Sequence, residues 1–285
     1  MRDELRFDPA HEGRVSAGVR REIFDKDFSD ALSYGSTGYQ INQGLNAWEL
    51  QASYMPVANL TVYGKGGQSY RVANSDENAY TSLQNQPLAP QQSHDAELGA
   101  TYANAAQKIT ARVFRHNLKN EIFYDPTANG FGANTNLDPT RRQGFELDAE
   151  QRIAAHWNAS AHFQHVKATF TEGVNSGKEM VLVPRNVLTA RLSWTPSSRQ
   201  SADVGVQWVD SQRYGSDFSN NCAGEMPSFA TFDARYARKF GPWELALSGQ
   251  NLTDKRYYSQ AFSCEKGGIY PADGRQFKLS ARYEF

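Results

Sequence analysis

Ser160 and His162 stand two residues apart, the spacing nearest to that of a nucleophile and its base in this chain; His116 lies elsewhere. On a strand that spacing puts both side chains on one face. An activated serine also needs a third group that orients the base. No Gly-x-Ser-x-Gly elbow occurs, and the sequence shows no acid placed to orient His162. The six histidines (His11, His94, His116, His156, His162 and His165) have no metal-ligand spacing, and a strand would turn His162 and His165 to opposite faces. Glu146, Asp148 and Glu150 do share a face. Such a trio is either a cation site or part of a hydrated wall, and the wall is the expectation. Arg112, Arg191, Arg235, Lys278 and Arg282 sit at matching polar positions of other segments, where they can pair with such carboxylates. Two cysteines, Cys222 and Cys264, are too few for a disulfide scaffold and lack metal-site spacing. No catalytic residue, metal site or cofactor is expected.

Bulk properties narrow the class. The 285 residues carry 30 basic and 31 acidic side chains, which leaves no clustered basic footprint for nucleic acid. Aromatics make up 12% of the chain, with 16 Phe and 14 Tyr, a composition suited to strands. No apolar run approaches the roughly 18 residues of a membrane helix, a test that strands crossing a membrane would escape.

The elements that must position these side chains are two-periodic. Trp48, Leu50, Ala52 and Tyr54 alternate with polar residues, and so do Leu60 to Gly64, Ala96 to Tyr102 and Ile109 to Val113. The pattern continues at Phe145 to Ala149, Trp157 to Phe163, Leu188 to Trp194, Val204 to Trp208, Phe232 to Tyr236 and Trp243 to Leu247. It closes with Phe277, Leu279, Ala281, Tyr283 and Phe285 against Gln276, Lys278, Ser280, Arg282 and Glu284. Val15 to Ile23 alternates poorly, and Leu5 to Phe7 reads as a partial strand. Period two gives each strand one apolar and one polar face.

The connections alternate between short turns and long polar loops. Turns fall at 9–13, 56–59, 104–107, 154–157, 196–201 and 241–242, and loops at 27–44, 71–93, 125–140, 171–180, 212–228 and 258–273. Soluble domains rarely hold many loops beyond about 12 residues. An up-and-down transmembrane barrel has short turns on one side and long loops outside. The fold class is therefore all-β, an antiparallel up-and-down transmembrane β-barrel with about twelve strands present. With the carboxyl end periplasmic, Trp48, Trp157, Trp194 and Trp243, with Tyr54 and Tyr102, fall near the short-turn ends, where an aromatic girdle belongs.

The segment from Phe229 to Tyr257, with Asn251-Leu-Thr-Asp-Lys-Arg-Tyr257 at its end, resembles the carboxy-terminal region of TonB-dependent outer-membrane receptors. Pro271 to Phe285, Ser93 to Tyr102, Asn120-Glu121-Ile122 and Arg141 to Leu147 are similar to further parts of that family. The resemblance covers most of the chain from about residue 88. It implies residues 1–285 as a partial receptor barrel domain, the carboxy-terminal part of a 22-stranded barrel, in the bacterial outer membrane. It also implies a plug domain and the inner-membrane TonB–ExbB–ExbD complex as partners, beside outer-membrane lipid and the barrel-assembly machinery. The charged start, Met1-Arg-Asp-Glu-Leu5, is no signal peptide, and the expectation is a receptor piece without its plug, inactive alone.

By that resemblance the function is energy-coupled uptake of a scarce nutrient, foremost a ferric siderophore. Cobalamin or haem uptake, a passive channel and a lipid-hydrolysing barrel using Ser160 and His162 stay open. Ligand capture belongs to the long loops, where Arg213, Tyr214, Phe218, Arg256, Phe262, Lys266 and Tyr270 combine aromatic faces with cations. Stacking and charge pairing suit an anionic or catecholate metal chelate. The Asn- and Gly-rich 125–138 loop would serve equally as a flexible lid. Cys222 and Cys264 fall in the last two loops, and a disulfide there is the expectation. Phe277, Leu279, Ala281, Tyr283 and Phe285 would be the terminal signal that the assembly machinery reads.

Overall fold

The computed structural model describes residues 2–28, 39–81, 87–265 and 268–284. The strands in chain order are β1 (Arg2–Phe7), β2 (Gly13–Phe28), β3 (Tyr39–Val57), β4 (Leu60–Arg71), β5 (Gln91–Ala103), β6 (Gln107–Lys119), β7 (Ile122–Asp125), β8 (Ala133–Asn136) and β9 (Thr140–Ala154). They continue as β10 (Trp157–Phe170), β11 (Asn186–Ser197), β12 (Gln200–Val209), β13 (Phe229–Phe240), β14 (Trp243–Gln250), β15 (Tyr258–Ala261), β16 (Ile269–Pro271) and β17 (Gln276–Tyr283). Thirteen form one sheet in the order β1-β2-β3-β4-β5-β6-β9-β10-β11-β12-β13-β14-β17. The pairs β7–β8 and β15–β16 are separate hairpins set into long connections, and β1 and β17 are the ends of the sheet order. A short helix, α1 (Ser75–Ala79), is held by a capping box between Asn74 and Glu77.

The sheet has more strands than the alternation predicts because its first hairpin is fully formed. Arg21 interrupts the apolar period of β2, yet β2 pairs with β3 without a break from Arg14↔Ser53 to Phe28↔Tyr39. Continuous pairing with a regular neighbour outweighs a poor local pattern. For the same reason residues 39–44, expected in a loop, are strand. They also move Trp48 to the middle of β3, away from the girdle expected for it. The other girdle residues do lie near short-turn ends: Trp157 is registered with Trp194, and Trp243 with Tyr283. Their ring centroids are 6.2 and 5.0 Å apart respectively.

The two faces of the sheet differ as the alternation requires. Leu98, Val113, Phe145, Leu147, Val204, Phe232, Leu245, Leu247, Phe277 and Leu279 lie exposed on one face. The other carries the ion pairs Lys65–Glu97, Arg112–Glu146, Arg191–Asp203, Arg191–Asp233 and Arg235–Glu244. An exposed apolar face on so long a meander is what lipid contact demands, and the ion-paired face is the wet lumen.

Consequently most of the buried core is not in the wall. Val166, Ala168, Phe170, Met180, Val181, Met226 and Ala261 are all buried, and all lie at or beyond the long-loop ends of the strands. Ala168, Phe170 and Met180 form one cluster, with Leu137, Val183 and Phe218 packed on it. A second cluster joins Ala73, Leu88 and Ile122. The loops thus carry their own apolar packing, which fixes their shape.

Candidate functional site

Loops from distant parts of the sheet meet above the lumen. Tyr124 lies in β7, inserted between β6 and β9, while Phe262 follows β15, inserted between β14 and β17. Strands β9 to β14 separate the two insertions, roughly 30 Å of wall at about 4.8 Å per strand. Their rings are nevertheless 6.3 Å apart, and Phe262 also meets Tyr270 at 5.3 Å. Phe218, from the connection between β12 and β13, packs edge-on against Phe123 at 5.7 Å and Phe170 at 6.1 Å. Contacts over that span require the loops to reach across the mouth.

Between them lies a cleft of about 650 Å³, lined by Tyr124, Phe131, Asp217, Asn221, Phe262 and Glu265 together with Cys222 and Cys264. Phe131 is 82% exposed, an apolar ring held out in the open. Gly132 follows at φ +95°, and a Cβ there would collide with the Tyr124 hydroxyl, so only glycine lets that ring sit where it does. The two cysteines are disulfide-bonded with Cα atoms 6.1 Å apart, which joins the 210–228 and 251–275 connections.

Charge at the site is organised around Arg213. Its guanidinium donates to Asp217 at 3.2 Å and Glu179 at 3.4 Å, and lies 3.6 Å from Glu225. Arg185 holds Glu179 through two bonds of 2.9 and 2.7 Å. That guanidinium keeps the Glu179 carboxyl below its ordinary value of 4.5, against the opposing effect of burial. Asp217 also accepts from the backbone N–H groups of Asn221 at 2.7 Å and Cys222 at 3.1 Å. Asn220 donates to the Glu179 carbonyl and accepts from its N–H, stitching the two loops together. The 125–138 segment, read as a lid, is pinned instead: Asn136 bonds both the N–H and the carbonyl of Ala89 and the carbonyl of Asn120.

The predicted ligand residues therefore divide. Phe262 and Tyr270 share the aromatic cluster at the cleft, and Tyr270 is 55% exposed. Phe218 is packed into the loop core, and Arg213 is consumed by three carboxylates. Tyr214 bonds Tyr258, whose hydroxyl it pushes up from its ordinary value with burial adding to the shift. Arg256 is exposed, with no acidic partner among the described residues. Lys266 lies outside the described residues, as does Phe285 at the carboxyl end. Phe277, Leu279, Ala281 and Tyr283 are exposed on β17. Local sequence does not mark Tyr124, Phe131 or Asp217; an aromatic pair at 123–124 inside a polar connection is the available signal.

One feature of the lumen wall corrects the sequence reading. Asp148 does orient His162, its carboxylate 2.7 Å from Nδ1, because the register sets the two opposite each other on β9 and β10. Ser160 stands opposite Glu150 and Arg191 and has no hydrogen-bond partner among the described residues. Glu146 is taken by Arg112 and Gln164, which fits the mixed-charge wall expected for this face.

The fold and faces together define a wall of an outer-membrane β-barrel crowned by packed loops. Residues 2–252 match the family model "TonB dependent receptor-like, beta-barrel", and the chain belongs to that family. It is accordingly an outer-membrane protein. It is similar to the probable TonB-dependent siderophore receptor PiuA of Acinetobacter baumannii, at 23% identity over 95% of this chain and 38% of that protein. The ferric-pyoverdine M114 receptor PbuA of Pseudomonas sp. (strain M114) is 25% identical over 80% of this chain and 28% of its own length. The crystal structure of PiuA superposes with a TM-score of 0.76 at 21% identity, covering 95% of this chain and 40% of that one. The chain thus spans well under half the length of these relatives.

Proposed function

We propose that this chain forms the carboxy-terminal wall and part of the ligand vestibule of a receptor for energy-coupled uptake of a ferric siderophore. The observation that carries the reading is the convergence of three loops over the mouth, with Tyr124, Phe131 and Phe262 around one cleft. The siderophore receptors among its relatives support the ligand class. Aromatic rings there offer stacking faces, and Asn221 and the neighbouring serines offer hydrogen bonds. Further strands would pair with β1 and β17, since an open strand edge is not tolerated in lipid. A plug in the lumen would meet the ion-paired face, and the TonB–ExbB–ExbD complex would act on that plug. The exposed apolar face of β17 would serve the assembly machinery.

The test is equilibrium binding of the full chain in detergent to iron-loaded catecholate and hydroxamate chelates, with cobalamin and haem alongside. Saturable binding of one iron chelate, weakened about tenfold or more by Phe262→Ala, is the expected result. Binding of cobalamin or haem alone would replace the ligand. Conductance in planar bilayers that no chelate alters, with no binding, would replace the reading by a passive channel.

A further inference from the structure

The cleft above the lumen carries carboxylates and aromatic faces but no cation. It measures about 650 Å³, and among the described residues no lysine or arginine lines it. Glu265 does line it, exposed, and its carboxylate has no basic partner among those residues. Thr127, another lining residue, donates its N–H and its hydroxyl to Asp125 at 2.8 and 2.7 Å. Asp125 likewise has no basic partner among the described residues. Arg185 and Arg213, two cations, are met by three carboxylates, those of Glu179, Asp217 and Glu225. That network is therefore left with one net negative charge. The rings act in the same sense. Tyr124 and Phe131 are exposed at the cleft, and an aromatic face is the negative pole of its quadrupole. The cations that do sit over rings are in the wall, Arg20 of β2 on Tyr70 and Arg238 of β13 on Phe240.

We infer that the cleft selects chelates of zero or positive charge and rejects anionic ones, with the Glu265 carboxylate as a specificity-determining group. The inference rests on reading the cleft as a chelate site, and it narrows the ligand within that reading. Cations beside aromatic residues in the sequence suggest the opposite. In the structure Arg213 is taken by carboxylates, and Arg256 does not line the cleft. An anion entering there would give up water for like charge, a juxtaposition that works against binding. An ammonium group would meet ring faces and an unpaired carboxylate, the two kinds of partner that recognise it. Three catecholates leave a bound ferric ion with three negative charges, and three hydroxamates leave it with none. The hydroxamate class therefore fits the cleft, the more so when it carries a pendant amine. Ser216 and Asn221 offer hydrogen-bond donors to its carbonyl oxygens.

The test titrates the full chain, in neutral detergent, with one linear ferric tris-hydroxamate whose terminal amine is free, acetylated or succinylated. Size and metal then stay nearly fixed while the charge runs from positive through zero to negative. A ferric tris-catecholate is the fourth probe. Affinity should fall about tenfold at each step of the series, between the bulk-water and protein-surface limits for one unit charge. The catecholate should bind on the order of 100-fold more weakly than the acetylated form, or worse. Added salt should weaken the free-amine form and spare the acetylated one. E265Q should cut each step to about threefold, and E265K should reverse the order. Glu265 is exposed and is bonded through its N–H to Ser263, a bond that neither substitution removes. K239Q, at the short-turn end of β13, should keep the wild-type order. Equal affinity across the series, or tightest binding of the catecholate, would overturn the inference and leave the siderophore reading standing. The wild-type order retained in both E265Q and E265K would overturn it as well. Binding of none of the four probes would end the siderophore reading and the inference together.

Discussion

Replacing Arg213 by alanine separates a structural arginine from a ligand-binding one. Its side chain is 19% exposed and the Asp217 side chain 3% exposed, so their contact at 3.2 Å is nearly desolvated. The contacts to Glu179 and Glu225, at 3.4 and 3.6 Å, are looser and wetter. Removing one partner of a buried charged pair costs about 3–5 kcal/mol when the other charge is left with nothing. Asp217 would keep two backbone N–H donors, so the loss is smaller, about 2 kcal/mol, within the range for one charged hydrogen bond. That cost falls on opening of the 210–228 connection, because the three carboxylates that Arg213 meets all lie in the long connections. An opening made easier by ~2 kcal/mol raises amide exchange there about 30-fold. Hydrogen exchange read by mass spectrometry should show that rise in residues 210–228 and 171–185, with β11 to β14 unchanged. Arg213→Lys should recover part of the protection, since an ammonium can reach Asp217 but cannot fork to Glu179 as well. Loss of chelate binding in Arg213→Ala with loop exchange unaltered would refute the structural role and restore Arg213 to the ligand.

Three further outcomes follow from the same geometry. Leu147→Arg places a charge on the lipid face near mid-strand and should destabilise the assembled wall by about 2–4 kcal/mol, whereas Thr189→Arg on the lumen face should be tolerated; urea titration of heat-modifiable migration compares them, and equal tolerance would invert the face assignment. Glu179 has its carboxyl value lowered, so its stabilisation is complete above 4.5 and is lost as pH falls through the lowered folded value. Exchange protection of residues 171–185 should therefore hold from neutral pH to about 5 and fall only below that, and Glu179→Gln should flatten the profile; a fall between pH 7 and 5.5 would contradict the assignment. Reducing the Cys222–Cys264 bond should expose two alkylatable thiols and loosen the 210–228 and 258–273 connections while β13 and β14, held by their neighbours, keep their protection; melting of those strands on reduction would show that the bridge holds the wall.

What the sequence makes legible is what a uniform environment dictates. Every outward position of β17 meets the same lipid, so Phe277, Leu279, Ala281 and Tyr283 declare their face without knowledge of any partner. The signal weakens where a charge breaks uniformity: Arg21 blurs the pattern read at Val15 to Ile23, and the full length of β2 shows only in its fifteen registered pairs with β3. It vanishes where the partner is remote along the chain. Nothing local to Asp148 points to His162, and nothing local to Tyr124 points to Phe262; the first needs the register, the second a loop path across the mouth. Arg213 shows the cost of that blindness. Read alone it is a cation in an aromatic-rich loop, suited to an anionic ligand, while three carboxylates from its surroundings had already claimed it. Arg115, Arg141 and Lys167 show the reverse case, since each is unexceptional in its own strand and register alone assembles them on one face. A cation in such a barrel goes without an acidic neighbour only where the adjoining strands supply none, and that condition holds on the lipid side of β6, β9 and β10 but not around Arg213.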